Sequence, residues 1–218
     1  MSNIFLIGAT GGVGSRLGPK LVGAGHAVKG LHRKPEQAGD LREHGVEPVY
    51  GNIIDMTADD IASAMTGCDT AIFSAGAAGS GRDKTTAIDG EGPEKLIEAA
   101  RATGVNRIYM VSVIMDAGRD RNTSDDFEHY MAMKRRADAA LATSGIDYVI
   151  LRPGTLKDDD GDGKVSAGRA ITYGDVARGN VAATLAELIN TPEITNEIIE
   201  LTNGDTPIAE AVASLKRG

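Results

Sequence analysis

Ile4-Phe5-Leu6-Ile7-Gly8-Ala9-Thr10-Gly11-Gly12-Val13-Gly14 begins three residues into the chain, and its two halves ask for different backbone states. Four successive apolar residues read as a strand buried on both faces. The glycines that follow without a spacer allow a tight turn and close approach of a neighbouring backbone before a helix starts near Val13. Free amides and the dipole at such a helix start favour a phosphate's negative charge. The junction therefore predicts a dinucleotide pyrophosphate cradle made by Gly8, Thr10, Gly11, Gly12, Val13 and Gly14. Its spacing is G-x-x-G-x-x-G, or G-x-x-x-G-x-G through Gly12, and not the commoner G-x-G-x-x-G. A plain glycine-rich turn is the competing reading in a chain with 28 glycines. The position at the first strand-to-helix junction favours the cradle.

Working outward, β-rich runs recur at residues 4–7, 27–31, 46–50, 70–74, 107–112 and 147–151, with helical spacing near 13–23, 36–44, 58–65, 92–103 and 127–143. Strands alternating with helices require crossover connections. The expected fold is α/β, a Rossmann-type doubly wound, mostly parallel sheet with helices on both faces. Gly25, Gly104 and Gly145 suit helix ends, and Pro93 suits a helix first turn. Beyond Leu151 the pattern loosens. Arg152-Pro153-Gly154 is expected to break the strand, residues 158–163 to form an exposed turn, and a helix near 175–190 to start behind Thr172. A late strand at 197–201 and a closing helix at 207–216 complete a single domain over 1–218. The irregular residues 77–90, 113–126 and 154–172 are expected to wall a small substrate cleft, built largely by 154–218.

Ligands of such sheets bind beyond the carboxyl ends of the strands. After the second strand stand Arg33 and Lys34, where an NAD site would offer an acid. Arg33 is suited to charge-assisted bonds with a 2′-phosphate, which predicts NADP in preference to NAD. After the third, Ile54 and Asp55 are placed to flank an adenine and accept its amino protons, or Asp55 caps the next helix. After the fourth, Ala75 and Gly76 keep side chains small beside a cofactor. Tyr130 and Lys134, four apart, share one helix face. The phenol can act as general acid while the ammonium lowers its pKa and holds the nicotinamide ribose, with Ser112 orienting a carbonyl.

Composition narrows the classes. A net charge of −8 argues against a general nucleic-acid binder. Cys68 is the single cysteine, so neither a disulfide nor a cysteine metal cage forms within the chain. No apolar stretch approaches membrane-spanning length, and the first strand leaves no room for a leader; a cytoplasmic protein with no membrane partner is expected. The acidic run at 158–163 lacks the ligand order of an EF-hand, and no metal site is expected. The methionines at 110, 115, 131 and 133 fall around the expected cleft, where they are able to line an adaptable apolar pocket, with core packing the expected role for most. No pattern speaks to oligomeric state.

The glycine loop, Arg33, the Gly51-Asn52-Ile53-Ile54-Asp55 segment, Tyr130 with Lys134, and Leu151-Arg152-Pro153-Gly154, in this order, resemble the short-chain dehydrogenase/reductase superfamily. The likeness is closest to its atypical NAD(P)-binding branch, which includes NmrA-like and biliverdin-reductase-B-like proteins, and it spans nearly the whole chain. Asn52 stands where relatives often have an acid. The resemblance implies catalytic Tyr130 and Lys134, with Pro153 beside the nicotinamide. The expected function is NADP-dependent hydride transfer to a small-molecule carbonyl or conjugated substrate. A cofactor-binding sensor without chemistry is the alternative, and a sugar-nucleotide epimerase or dehydratase, whose usual larger substrate domain is not evident in 218 residues, ranks last.

Overall fold

A strand as apolar as β1 (Asn3–Ile7) is satisfied only between two helical layers, and it takes an interior place in the sheet, paired on both sides. Ile4 and Leu6 enter one core, Phe5 and Ile7 the other. The computed structural model describes residues 1–118 and 122–217; residues 119–121, part of the expected cleft segment 113–126, lie outside them.

On one side of β1 lie β2 (Ala27–His32) and the edge strand β3 (Glu47–Tyr50). On the other lie β4 (Thr70–Phe73), β5 (Arg107–Val111) and β6 (Asp147–Pro153). The strand at Glu197–Asn203 adds to β6 in the same direction, so seven parallel strands form the centre. One face carries α1 (Gly14–Gly23), α2 (Gln37–Glu43), α7 (Arg178–Ile189) and α8 (Ile208–Ala213). The other carries α3 (Ala58–Ala64), α5 (Gly92–Thr103) and α6 (Asp125–Ala142). Leu17 and Leu21 of α1 are fully buried, and truncating either to alanine would cost about 2–5 kcal/mol. Helix starts have local causes. Thr57 accepts the Asp60 amide in a capping box ahead of α3, and Ser124 accepts that of Phe127 ahead of α6.

Differences from the sequence reading cluster where tertiary partners decide. β6 runs through Pro153 instead of stopping at Leu151. Pro153 lacks a donor only on the side where β5 has already ended, and its carbonyl accepts from Ile114. Residues 175–177 are a strand, β9 (Asp175–Ala177), pairing with β7 (Thr155–Lys157), and α7 therefore starts at Arg178 without a side-chain cap. β8 (Lys164–Gly168) runs antiparallel to the Glu197–Asn203 strand, β10, and also holds β11 (Thr206–Pro207). The stretch expected to be irregular at 77–90 contains α4 (Arg82–Thr85) and a π-helical turn, Thr86–Glu91, leading directly into α5. No helix among the described residues is long and apolar enough to cross a membrane, and none of their His, Cys, Asp and Glu side chains cluster as a metal site.

Glu197 starts β10 buried, and the guanidiniums of Arg169 and Arg217 close on it at 2.6–3.0 Å. Arg169 above all holds its carboxyl below the ordinary 4.5. Glu197→Gln is expected to lower unfolding free energy at about pH 7 by about 1–2 kcal/mol, less than a fully buried pair would lose, because both arginines are largely exposed. The carboxylate's contribution is complete above pH 4.5 and disappears as pH falls through the lowered folded value. Denaturant titrations of both proteins should thus show a gap that closes in acid.

Candidate functional site

The sheet order reverses at β1: its chain neighbour β2 lies to one side, while β4 lies on the other. Crossovers leave the two carboxyl ends in opposite directions there, and a crevice opens between them. Gly8 leaves β1 with φ +90°, and a side chain on it would reach within 2.6 Å of the Ala75 amide nitrogen. A side chain on Gly14 would collide with the Gly8 carbonyl oxygen. Both glycines are required by backbone packing, Gly8 against β4's exit and Gly14 against the loop itself. Gly11 donates to Gly8 and accepts from Ser15, which folds the turn. Among the described residues, the amides of Gly12 and Val13 donate to no protein acceptor. A tight glycine turn with two free donors fits a diphosphate.

Gly8, Gly11, Gly12 and Val13 line a cavity of about 680 Å³ with Thr10, Arg33, Ala75, Gly76, Ser112, Tyr130 and Lys134. Arg33 follows β2 and Ser112 follows β5, three strand intervals apart, or about 14 Å. Arg33 is exposed on the cavity wall. Ile54 and Asp55 do not line the cavity; Asn52 and Ile53 do. Asp55 accepts from the Asn52 side chain at 2.6 Å, and Lys95 donates to the carbonyls of Ile53 and Ile54. Neither does Asp55 cap α3, a role held by Thr57. Pro153 is buried in β6, and Gly14 lies under the loop; neither lines the cavity. From the segment after Gly154, Leu156 and Arg178 reach it. Around Tyr130 the wall is drawn chiefly from residues 76–89 and from Ser112, Ser124, Asp126 and Phe127. None of the four methionines expected near the cleft lines it.

At the β5 end, Tyr130 and Lys134 share the inner face of α6, with the Lys134 Nζ 5.7 Å from the phenol ring centre. Lys134 is almost fully buried and forms an ion pair of 2.9 Å with Asp89, which is 0% exposed on the π-helical turn. Asp89 also accepts the Ala77 amide at 3.0 Å, tying that turn to the loop after β4. Burial pulls the Lys134 pKa down, but attraction by the Tyr130 oxygen and by Asp89 reverses this, and it ends raised. Tyr130 departs from the sequence reading. Lys134 does pull its pKa down, yet burial outweighs that pull, and Asp89 and Asp138 add to the rise. Behind the site, Asp138 is raised by burial, against the Ser112 hydroxyl and Arg152, whose Nε lies at 2.8 Å.

Two candidate residues escaped the sequence reading, Asp89 and Arg178, and Asn52 entered it only as a departure from relatives. Asp89 had a weak signal, a carboxylate directly after the apolar pair Ala87-Ile88 and just ahead of the helix start marked by Pro93. Nothing local marked Arg178, which comes from the far end of the chain.

Comparison with known proteins agrees with this geometry. The model of the NAD(P)H-binding family matches residues 8–192. A Bacillus subtilis protein named uncharacterized sugar epimerase YhfK is 39% identical over 214 residues, 97% of this chain and 99% of its own. A Bacillus halodurans structure with the provisional name NAD-dependent epimerase/dehydratase is 33% identical and superposes with a TM-score of 0.90, covering 99% of this chain and 100% of its own. The Lactococcus lactis oxidoreductase ylbE is 28% identical with a TM-score of 0.84 over 98% and 96% of the two chains. A glycine cradle at the switch point of a Rossmann-type sheet and a family match across most of the chain lead to one assignment: the chain belongs to the NAD(P)H-binding family, consistent with the NmrA-like branch of the short-chain dehydrogenase/reductases.

Proposed function

We propose that the protein is an NADPH-dependent reductase acting on a small carbonyl or conjugated compound. The observation that carries this reading is the convergence of Ser112, Tyr130 and Lys134 on the cavity that also holds the free loop amides and Arg33. A bound nicotinamide would supply the hydride. Tyr130, its pKa raised by burial, keeps its proton at neutral pH and donates it to the carbonyl oxygen as negative charge develops there. Lys134 would hold the ribose hydroxyls of the cofactor and stabilises the phenolate left behind, while the Ser112 hydroxyl orients the carbonyl. Asp89 touches no reacting atom; it positions Lys134 and offsets its charge. Phe127, whose ring lies 6.2 Å from that of Tyr130, joins Ile88 and Leu156 in an apolar wall suited to a flat substrate.

The NADPH preference rests on Arg33, whose neighbours on that wall, Leu31, Gln37 and Asn52, include no acid to hold ribose hydroxyls. Two relatives with epimerase names support a second reading, in which the same Tyr130 and Lys134 oxidise and re-reduce a sugar. It requires NAD that stays with the protein. Denaturing purified protein and assaying the supernatant for one equivalent of NAD separates the two.

For the reductase reading, nicotinamide fluorescence titrations should give NADPH at least about tenfold tighter binding than NADH, and Arg33→Ala should erase most of that gap. Equal affinities in the parent protein would refute the role of Arg33. Tyr130→Phe should retain NADPH binding and lose about a hundredfold or more in turnover over a carbonyl and quinone panel. Undiminished turnover would rule the phenol out as acid.

A pH profile tests the electrostatics. Reduction by the parent protein should hold through neutral pH and decline only above the ordinary phenol range near 10. Asp89→Asn removes a charge that raises Tyr130, so its alkaline decline should begin at lower pH. An unmoved limb would exclude Asp89 from tuning the site.

A further inference from the structure

The acidic run at 158–163 is exposed, as its composition requires, yet it is not an idle turn. It lies against α7 and α1 beside the glycine loop. Gly179 donates to the Asp159 carbonyl, and a side chain on Gly179 would collide with that of Asp160. Asn180 accepts from the Gly163 amide and donates to Asp162 and to the Lys164 carbonyl. Backbone and amide bonds thus fix the run to the start of α7. Its carboxylates face two arginines that also touch Gly12. Arg16 donates to the Gly12 carbonyl at 2.8 Å and pairs with Asp160 at 2.9 Å and Asp158 at 3.3 Å. Arg178 lies over Gly12 so closely that a side chain there would come within 2.6 Å of its Cδ and 2.8 Å of its Nε.

The two arginines are not equivalent. Arg16 is fully engaged by its partners. Arg178 lines the cavity, makes no hydrogen bond among the described residues, and has only Asp158 as an ion partner, at 3.9 Å. That is a weak attraction to a carboxylate 76% exposed to water. A guanidinium held loosely beside two free amides is matched to a phosphate in charge and in donor geometry.

We propose that Arg178 binds the pyrophosphate of the dinucleotide and that Asp158 is the counter-charge it exchanges for that ligand. The proposal rests on the dinucleotide reading of the cavity and extends it to the C-terminal third of the chain. Because the run is anchored by Gly179 and Asn180, the exchange is made by the arginine side chain and not by loop movement. Asp158 and the ligand compete for one cation, so the acidic run weakens dinucleotide binding by holding Arg178.

A double-mutant cycle on the whole chain, read as NADPH and ADP dissociation constants by calorimetry, tests it. Arg178→Gln should weaken both ligands about tenfold or more. Asp158→Asn should tighten both about twofold to fivefold in the parent background, and have no effect in Arg178→Gln. Unchanged binding in Arg178→Gln overturns the proposal. So does an Asp158→Asn effect that is absent or equal in both backgrounds, since the latter is a distant charge effect. If Arg178→Gln does not fold, as its thermal melt would reveal, Asp158→Asn alone decides against the proposal when it fails to tighten binding. A parent protein that binds neither ligand removes the dinucleotide reading itself, and the role of Arg178 falls with it. Binding by the parent with no response to either substitution removes only the role of Arg178.

Discussion

The contact on which the site depends is backbone against backbone: the turn out of β1 lies directly on the exit of β4, with Gly8 against Ala75. No side chain fits between them. This closeness brings the α1 amides to the crevice where the strand order reverses, and a crevice at that point exists only because helices leave β1 and β4 toward opposite faces. Gly14 supports it from beneath, since the Gly8 carbonyl occupies the space a side chain would need. One small region of main-chain packing thus couples sheet topology to phosphate chemistry.

The second determinant is charge buried at the β5 end. An ammonium as enclosed as Lys134 is tolerated because Asp89 lies 2.9 Å away and the Tyr130 oxygen is near. The same carboxylate limits how far the lysine can acidify the phenol, so burial prevails and Tyr130 keeps its proton. A raised phenol pKa keeps Tyr130 protonated through neutral pH, the state a general acid requires, while lowering its intrinsic acidity. The π-helical turn is what brings Asp89 inward, and its tie to the Ala77 amide links the phenol's environment to the loop after β4. Irregular helix geometry at such a place is a recurrent mark of functional sites.

Much of this was legible in the chain. The seven parallel strands and the helices between them follow from apolar runs alternating with helical spacing, because each element's period reports which faces it must bury. Gly8, Gly11, Gly12, Arg33, Ala75, Gly76, Ser112, Tyr130 and Lys134 all follow strand ends or share a helix face, and all line one cavity. Where the reading slipped, a partner distant in sequence was responsible. After β3, Asn52 and Ile53 line the cavity and not Ile54 and Asp55, in a segment held by Lys95 from α5 and by the Asn52–Asp55 bond. β9 takes residues with a helical pattern because β7 offers it a ladder.

By itself the sequence determined the layered sheet, the glycine turn and the helix face bearing Tyr130 and Lys134, since these arise from periodicity and backbone freedom, properties local to each segment. Tertiary structure alone decided which charges meet. Asp89 and Lys134 are 45 positions apart, and Arg178 reaches Gly12 across most of the chain. Ion pairing falls steeply with distance and depends on burial, and neither distance nor burial exists until the chain has folded.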